Sequence, residues 1–487
     1  MTEPALAVAL PLAACLLAVV LGRRASWLLW PVIPASLAVG WLMARRVPAA
    51  HALGGWDAPL GIVLRADGLA AAFVLMTAVV ASGIGLYAAR YFATAVETRR
   101  TFAFWPLFYA VWTAANTIFL SGDIFNLYVA LELLTLAAIA LVALDGSTRN
   151  LVAAMRYVLF ALFGSLAFLI GAALIYGAYG TLDMALLQGR VTAEPATLVA
   201  VGLMSAGLFA KTALFPFHAW LPPAHAGAPA PASALLSALV VKASFYILFR
   251  LWFDVLPDLA GAGVVVLFGV LGSLAVFYGS VQAIRQQRLK PIIAYSTVAQ
   301  LGYLFLVFPL AGAGGEAQPW ANGAWSGAVF HALAHAFAKA AMFLAAGAMI
   351  LSAGDDRLGS MAGLGKSVPV ASFAFALAAV SLMGLPPSGG FLAKYLMLKA
   401  AFASGEVWWA AVLVGGGLLA AVYLFRPLNE LMRTRAADAP PLARVHWTLE
   451  AVPLVLALGA ILLGLASLEP YRLIDVGSPR AALEGLS

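Results

Sequence analysis

Long apolar runs recur throughout this chain, and each is about as long as the roughly 20 residues that an α-helix needs to cross a bilayer. Of the 487 residues, 64% are hydrophobic and only 10% are charged, whereas a soluble domain carries roughly 25% charged residues. The sequence therefore predicts an all-α polytopic membrane protein. The 14 runs, which predict about 14 transmembrane helices, lie near residues 5–21, 26–44, 69–89, 103–121, 124–144, 154–178, 197–215, 230–253, 262–283, 291–311, 325–352, 369–400, 407–425 and 448–468.

Lysine and arginine are distributed unevenly between the loops. Loops after odd-numbered spans hold 16 of them, and loops after even-numbered spans hold five. Because positive residues stay on the cytoplasmic side, we expect a multi-pass protein of the inner (cytoplasmic) membrane with both termini outside. The net charge of +7 therefore reports orientation in the lipid bilayer, and it does not indicate nucleic-acid binding.

Proline interrupts the apolar sequence at two places. The stretch from Lys211 to Lys242 contains five prolines, and the run 369–400 contains the sequence GLPPSGG. Because proline cannot donate a backbone hydrogen bond and clashes with the preceding turn, spans 7 and 12 are predicted to be broken helices. The two breaks are five spans apart, an odd number, so their surroundings have opposite topology. This placement predicts two inverted five-helix repeats, a pattern typical of transporters.

The predicted repeats divide the chain into four parts. Residues 1–102 hold helices 1–3, residues 103–258 form the first repeat with helices 4–8, residues 259–430 form the inverted second repeat with helices 9–13, and residues 431–487 hold helix 14 and the tail. The loops are short, and no stretch is typical of a soluble domain.

Ionisable residues inside the spans are few and point to function, because an intramembrane charge is costly. Glu132 is the only acid well inside a span. Four lysines, Lys211, Lys242, Lys339 and Lys394, lie in apolar sequence or beside a break. A buried carboxylate beside a buried lysine couples two protonation states, which is the minimum for a proton switch. The alternative is a pair that only holds helices together.

The remaining three lysines are expected near the membrane surface. Lys290 and Lys366 fall in basic loops, and Lys399 lies near a span end. From that position Lys399 can extend to the interface.

The histidines are candidates for proton relay because imidazole titrates near neutral pH. His331, His335 and Lys339 follow at i, i+4 and i+8, on one face of a helix. The intervening residues lack the glutamate of a zinc-protease motif, so no metal site is predicted. His218, seven residues after Lys211, shares its face if the helix continues that far, and His225 lies in the break. His335 is a main relay candidate, and His331, His218 and His225 are secondary ones.

Cofactor signatures are missing from the sequence. Cys15 is the only cysteine, so no cysteine cluster can bind iron–sulfur. There is also no phosphate-binding glycine loop. No cofactor and no catalytic chemistry of its own are therefore expected, and an energy source other than an ion gradient has to come from a partner.

Several motifs resemble those of a known family. They stand in one order across residues 65–430: SGDIFNLYVALELL with Glu132, AKTALFPFHAWLPPAHAGAPAPASALLSALVVK with Lys211 and Lys242, LKPIIAYSTVAQLGY, HALAHAFAKAAMFLAAG with His335 and Lys339, and GLPPSGGFLAKYLML with Lys394. They resemble the antiporter-like membrane subunits of respiratory complex I, of membrane-bound hydrogenases and of Mrp-type multisubunit Na+/H+ antiporters. The first and last motifs are most similar to the Mrp D subunit.

The resemblance implies a hydrophilic axis across the membrane plane, and other membrane subunits as partners. By that analogy Glu132 pairs with Lys211 near a cytoplasmic-side input, and Lys242 bridges inward. His335 and Lys339 continue the path, and Lys394 serves the exit half-channel. The order of sites agrees with the residues themselves, while the direction of proton movement comes only from the family.

Four functions are compatible with the sequence. The favoured one is a proton-translocating subunit of a multisubunit cation (Na+)/proton antiporter that moves protons and a monovalent cation. The alternative is a proton-pumping membrane subunit of a complex I-like NADH:quinone oxidoreductase or of a membrane-bound hydrogenase. A third is a subunit that couples proton flow to the uptake of another solute, and the last is a scaffold whose charges only hold helices together.

Overall fold

In the computed structural model of the protein, residues 2–93, 98–312, 320–437 and 440–476 are described, and nearly all of them are helical. The α-helices are α1 (Glu3–Leu21), α2 (Leu29–Arg46), α3 (Gly68–Tyr91), α4 (Thr98–Leu120), α5 (Ile124–Ala143), α6 (Thr148–Tyr179), α7 (Met184–Leu187), α8 (Pro195–Thr212), α9 (Leu221–Gly227), α10 (Ala230–Leu235), α11 (Val241–Arg250), α12 (Ala262–Arg285), α13 (Leu289–Phe305), α14 (Val307–Ala311), α15 (Ala321–Ala353), α16 (Leu364–Ser367), α17 (Pro369–Met383), α18 (Gly389–Ala403), α19 (Val407–Met432), α20 (Thr448–Leu465) and α21 (Leu468–Asp475).

The number of membrane-crossing helices agrees with the prediction once two stretches are interpreted. Within the described residues, 12 helical stretches are long and apolar enough to cross a membrane, or 13 if one bent pair is counted. One stretch, Glu3–Arg46, turns at Gly22 (φ 57°) into α1 and α2, which pack against each other. The short helices α17 and α18 flank a break and form one span together. With these two adjustments the 12 stretches become the 14 predicted spans.

Large apolar side chains cover the outer surface of the bundle. Leu16 on α1, Trp30 on α2 and Leu159 on α6 are all exposed. A water-soluble protein rarely exposes such contiguous apolar surface. The chain is therefore a multi-pass membrane protein whose outer helices face lipid or neighbouring subunits.

Short polar side chains begin several helices. Each accepts a hydrogen bond from a backbone N–H of the first turn, which would otherwise lack a partner. These N-caps are Asp67 of α3, Asp123 of α5, Ser147 of α6 and Ser388 of α18.

The two predicted breaks have the same backbone structure. Helix α8 ends where Ala213 takes a left-handed conformation (φ 59°) and the Leu214 N–H donates to the Phe209 carbonyl at 3.0 Å. Helix α17 ends in the same way, with Gly384 at φ 82° and a Leu385 N–H bond of 3.0 Å to the carbonyl five residues earlier. Both are Schellman motifs. Matching breaks in spans 7 and 12 are what the inverted repeats predict, while the division at residues 102, 258 and 430 stays a prediction.

The first break decides the open question of whether His218 shares a helix face with Lys211. Because α8 ends at Thr212, His218 lies in the separate 3-10 segment Phe217–Trp220 and does not share that face. The left-handed Ala213 turns the chain before a further helical turn can form.

A small β-hairpin also differs from the expected all-helical chain. Strands β1 (Ala49–Ala52) and β2 (Val63–Ala66) pair antiparallel between α2 and α3. Each strand has only four residues, which is too short for its pattern to stand out from a loop in the sequence.

Glycines let α6 and α8 approach closely. A Cβ built on Gly207 of α8 would lie 2.4 Å from the carbonyl oxygen of Gly164 on α6, and a Cβ on Gly164 would lie 3.0 Å from Cγ of Lys211. Small residues at such crossings allow backbone contact between membrane helices. The crossing therefore fixes the position of Lys211 against α6.

This contact gives the first prediction. Replacing Gly207 with leucine forces α6 and α8 apart, and overpacking of this kind costs about 1–3 kcal/mol. We expect Gly207→Leu to lower the apparent melting temperature of the detergent-purified protein and its yield of monodisperse material. Gly202→Leu is the matched control, because Gly202 lies on the same helix with no atom within 4 Å of an added Cβ. Equal melting of the two variants would contradict the close crossing.

Candidate functional site

Glu132 and Lys211 form a buried ion pair between α5 and α8. The Lys211 ammonium donates to Glu132 Oε1 at 2.6 Å and to Thr135 Oγ1 at 3.0 Å, and the Ser165 hydroxyl of α6 also donates to Glu132 Oε1. Lys211 lies in the last turn of α8, where the helix dipole favours a cation. The side chain of Lys211 is 3% exposed and that of Glu132 is 27% exposed. The carboxylate is thus the more accessible partner, at the edge of the fold.

Lys242 occupies the centre of the bundle and is fully buried. It lies two residues after the end of the π-helical segment Leu236–Val240, and its ammonium donates to the Ser237 carbonyl within that segment. Irregular turns of this kind often mark functional positions in helices.

Helix α13 connects Lys242 to Lys339 through uncharged groups. The Ser237 hydroxyl lies 3.0 Å from the Thr297 hydroxyl, and the Thr297 hydroxyl donates to the Ile293 carbonyl at 3.1 Å. The same carbonyl accepts a bond of 3.0 Å from the Lys339 ammonium. Polar groups of Ser237, Thr297 and Ile293 therefore lie between the Lys242 ammonium, which binds the Ser237 carbonyl, and the Lys339 ammonium.

The series continues from α13 to the second break. His331 Nε2 lies 3.0 Å from the Gln300 carbonyl oxygen, and the Gln300 side-chain amide donates to the Leu382 carbonyl at 3.0 Å. The Lys394 ammonium donates to that carbonyl at 2.9 Å and to the Met383 carbonyl at 3.3 Å. The last carbonyls of a helix have no partner within it. Lys394 therefore satisfies the end of α17 that the break leaves open.

The histidines of α15 lie on one face, as predicted. The rings of His331 and His335 stack with their centroids 5.9 Å apart, and Lys339 follows one turn later. Both ring nitrogens of His335 are buried without a hydrogen-bond partner among the described residues. Buried polar groups normally have partners, so both ring nitrogens of His335 have unused hydrogen-bonding capacity.

The two histidines near the first break have different surroundings. His225 is fully buried, stacks on Phe343 with centroids 4.6 Å apart, and has no hydrogen-bond partner at either ring nitrogen in the described part of the chain. His218 packs between Phe215 and Tyr278 at 5.5 and 4.7 Å. His225 thus lies within the bundle interior, and His218 lies in an aromatic cluster.

Only one of the four lysines of the axis has a carboxylate partner among the described residues. Among the described residues, Lys211 has the carboxylate of Glu132, whereas no carboxylate lies within salt-bridge distance of Lys242, Lys339 or Lys394. The polar axis crosses α5, α8, α11, α13, α15 and α18. No group of three or more His, Cys, Asp or Glu side chains in the described ranges is arranged to hold a metal ion.

Lys290 corrects one expectation. Instead of lying in an exposed loop, Lys290 is 8% exposed at the start of α13, and its ammonium donates to the Ala228 carbonyl just after α9. A cavity of about 260 Å³ beside it is also lined by Arg288, Asp355 and Asp356. The loop prediction was wrong because hydropathy does not show which helix ends pack over a residue.

The sequence did not identify Arg250 as a site residue. It is one of the five basic residues assigned to loops after even-numbered spans. The structure buries it within the span that contains α11, where it is paired with Asp67 and Asp254. A signal was present in the sequence, since Lys242, Tyr246, Arg250 and Asp254 recur every four residues. The hydroxyl and amide groups of α13 carried no comparable signal.

Known proteins with similar sequences and structures belong to multisubunit membrane complexes. The chain is 33% identical to the N subunit of the NADH-quinone oxidoreductase of Desulforudis audaxviator over 88% of this chain and 87% of that protein. It is 34% identical to the D subunit of the Na(+)/H(+) antiporter of Alkalihalophilus pseudofirmus over 75% of this chain and 72% of that protein. One chain in the structure of the Mrp complex from Dietzia sp. DQ12-45-1b superposes with a TM-score of 0.86 and 26% identity, covering 99% of both chains.

The family described as NADH:quinone oxidoreductase/Mrp antiporter, TM, matches residues 121–420. That segment begins just before Glu132 and ends after Lys394, so it contains the whole polar axis. By sequence, by fold and by the order of its motifs, this chain belongs to the NADH:quinone oxidoreductase/Mrp antiporter transmembrane family.

Proposed function

We propose that this chain is the proton-translocating subunit of a multisubunit Na+/H+ antiporter in the cytoplasmic membrane, driven by the proton gradient. The observation that carries the proposal is the buried axis with its single carboxylate, Glu132, at one end. The proposed relay residues are Glu132, Lys211, Lys242, His335, Lys339 and Lys394, with His218, His225 and His331 in secondary roles.

The Glu132–Lys211 pair is the proposed switch. While the ammonium lies 2.6 Å from the carboxylate, each charge stabilises the other. Removing one partner of a buried pair costs about 3–5 kcal/mol, because the remaining charge is left uncompensated. If Lys211 moves away, Glu132 therefore gains a strong tendency to bind a proton. Proton uptake at Glu132 and movement of Lys211 are coupled in this way.

The inner lysines pass the charge onward. Lys242 and Lys339 meet the same series of polar groups on α13 from its two ends, and neither has a carboxylate partner among the described residues. Two ammonium ions in a low-dielectric interior repel each other strongly. A proton arriving at Lys242 therefore favours proton release from Lys339 toward His335, His331 and Lys394.

Orientation follows from the positive loops. With the odd-numbered loops in the cytoplasm, both termini face outward and protons are released on the outer side near Lys394. The partners are other membrane subunits, and the exchanged monovalent cation is Na+. The relative from Alkalihalophilus pseudofirmus, which is named as part of a Na(+)/H(+) antiporter, supports this assignment.

A second candidate is a proton-pumping subunit of a complex I-like NADH:quinone oxidoreductase or of a membrane-bound hydrogenase. The observation in its favour is coverage: the relative from the NADH-quinone oxidoreductase aligns over 88% of this chain, and the relative from the antiporter aligns over 75%. In that setting the redox chemistry would belong to the partners, and the same axis would move protons.

The switch gives the second prediction. We expect Glu132→Ala and Lys211→Ala each to reduce Na+-dependent proton flux in everted vesicles at least tenfold, with normal membrane levels of the protein. The charge-swapped double variant, Glu132→Lys with Lys211→Glu, separates a relay from a scaffold. A scaffold keeps its ion pair and its function after the swap, whereas a relay loses its order of sites and its flux. Full flux in both alanine variants would refute the proposal.

The outer end of the axis gives the third prediction. Lys394→Ala removes the ammonium that joins the axis to the end of α17, so we expect at least a tenfold loss of flux in the same assay. Lys399→Ala is the matched control on the same helix, because Lys399 is exposed and its ammonium lies 5.8 Å from the Tyr395 ring centre. Equal flux in the two variants would exclude Lys394 from the path.

The two candidate complexes give the fourth prediction. Gentle purification through a tag on this chain should yield a colourless assembly of small hydrophobic subunits, as an antiporter requires. The measurement is an absorbance spectrum together with mass spectrometry of the co-purified chains. Flavin or iron–sulfur absorbance with large soluble subunits would instead establish the redox pump.

A further inference from the structure

A cavity of about 450 Å³ opens beside the β-hairpin, away from the proposed relay residues. We name it the hairpin vestibule, and its polar lining consists chiefly of Arg65, Asp67, Ser121, Tyr246, Arg250 and Asp254. The segments around it follow spans 2, 4, 6 and 8. All of them therefore lie on one side of the bundle, which the positive-inside rule makes the outer side.

One face of span 8 connects this vestibule to the buried axis. Lys242, Tyr246, Arg250 and Asp254 follow at intervals of four residues, so their side chains lie one above the other. Side chains in a helix lean toward its N-terminus. Tyr246 therefore lies one turn from Lys242, and the Arg250 guanidinium lies 5.2 Å from the centre of the Tyr246 ring.

Hydrogen bonds fix the floor of the vestibule. Arg250 Nε donates to the Tyr246 hydroxyl at 3.0 Å, and that hydroxyl donates to the Phe119 carbonyl at 2.8 Å. Arg250 also pairs with Asp67 at 2.5 Å and with Asp254 at 2.7 Å. Two carboxylates hold one guanidinium group, which in turn holds the Tyr246 hydroxyl, and both Arg250 and Tyr246 line the vestibule.

The charged side chains around the vestibule form ion pairs. Arg250 faces two carboxylates, and on the neighbouring wall Arg65 pairs with Asp183 at 2.8 Å. Within the lining itself, Arg65 and Arg250 balance Asp67 and Asp254 in formal charge. A polar cavity of this size has room for water and partners for it, and such water can carry protons to and from the lining.

The cavity beside Lys394 differs in character. It measures about 340 Å³ and is lined mainly by apolar side chains, among them Leu385, Phe391 and Phe425. Water-borne protons are less favoured on such a surface than beside the ion pairs of the hairpin vestibule. The outer ends of the two repeats therefore have unlike surroundings.

We propose that the hairpin vestibule is an outward mouth of the buried axis, through which Lys242 exchanges protons with external water. Arg250 is a positioning residue, because its guanidinium group holds the Tyr246 hydroxyl at the floor of the vestibule. This inference rests on the proposed function and adds a second outward route, in the first repeat, to the one at Lys394.

The proton step conserves atoms and charge. When the Lys242 ammonium leaves the Ser237 carbonyl and Arg250 moves off the tyrosine, the Tyr246 oxygen accepts a proton from Lys242. At the same time the Tyr246 hydroxyl proton passes to water in the vestibule. One N–H bond and one O–H bond break, two O–H bonds form, and tyrosine ends neutral.

Single cysteines provide the test, because Cys15 is the only native one. In a Cys15→Ser parent, Ser121→Cys and Ala185→Cys place thiols in the vestibule lining. Ala193→Cys places one on the exposed loop of the same side, outside the lining. Each variant is assembled in its complex. The outer side of the membrane, on which the vestibule lies, is then treated with a membrane-impermeant trimethylammonium thiosulfonate. Flux before labelling is the reference for each variant.

We expect all three thiols to react from outside, and flux to fall at least fivefold only in Ser121→Cys and Ala185→Cys. An added positive charge repels cations from the mouth, and a merely structural cavity would not respond in this way. Failure of both vestibule thiols to react from outside, or complete labelling with unchanged flux, would overturn the proposal.

Two further variants test the tyrosine step and the proposed function separately. Tyr246→Phe keeps the ring and removes the hydroxyl, so we expect at least a fivefold loss of flux with unchanged thiol labelling; unchanged flux would exclude the tyrosine step. The Lys211→Ala variant of the same parent tests the proposed function separately. If Lys211→Ala abolishes flux but labelling of the vestibule thiols leaves flux unchanged, only the vestibule proposal fails.

Discussion

A lysine ammonium inside a membrane needs hydrogen-bond acceptors, and a helix that ends inside a membrane has carbonyls without partners. The structure meets both requirements with the same contacts. Lys394 binds the carbonyls at the end of α17, Lys242 binds a carbonyl within a π-helical segment, and Lys290 binds the carbonyl of Ala228 after α9. Since an unsatisfied backbone group in hydrocarbon costs several kcal/mol, the breaks and the lysines stabilise each other. The rest of the polar axis depends on these hydrogen bonds between lysine side chains and backbone carbonyls.

The two repeats use the same break but compensate their lysines differently. Lys211 lies two residues before the left-handed Ala213 and has a carboxylate partner, whereas Lys394 lies ten residues after Gly384 and reaches back across the break to carbonyls. The energy of an ion pair changes strongly when either partner gains or loses a proton. The energy of a lysine that is bound to carbonyl groups changes less. This difference suits the first repeat to switching and the second to passing charge onward. Lys242 lies between them, one helical turn from Tyr246 in the vestibule lining, so it is the branch point of the proposed routes.

Uncharged groups complete the axis. Helix α13 joins Lys242 to Lys339 and His331 to the second break through the Thr297 hydroxyl, the Ile293 carbonyl and Gln300. Hydroxyl groups can both accept and donate a proton, whereas the carbonyls only accept hydrogen bonds, and none of these groups adds the desolvation cost of a further charge. Their placement explains how one carboxylate is sufficient for an axis with several buried cations.

Hydropathy, the missing N–H of proline and the cost of buried charge are local properties, and they were enough to predict the membrane class, the span pattern, both breaks and Glu132 and Lys211 as candidate residues, while the resemblance to the family implied that these two residues pair. The packed helices were needed to show that Lys290 and Arg250 are buried, that His218 leaves the face of Lys211, and that α13 bridges two lysines. These outcomes depend on which helix ends and carbonyls pack against a side chain, and residues far apart in the chain supply them. The sequence therefore identified which residues are costly to bury. The packing of the helices decided which group pairs or hydrogen-bonds with each of these residues.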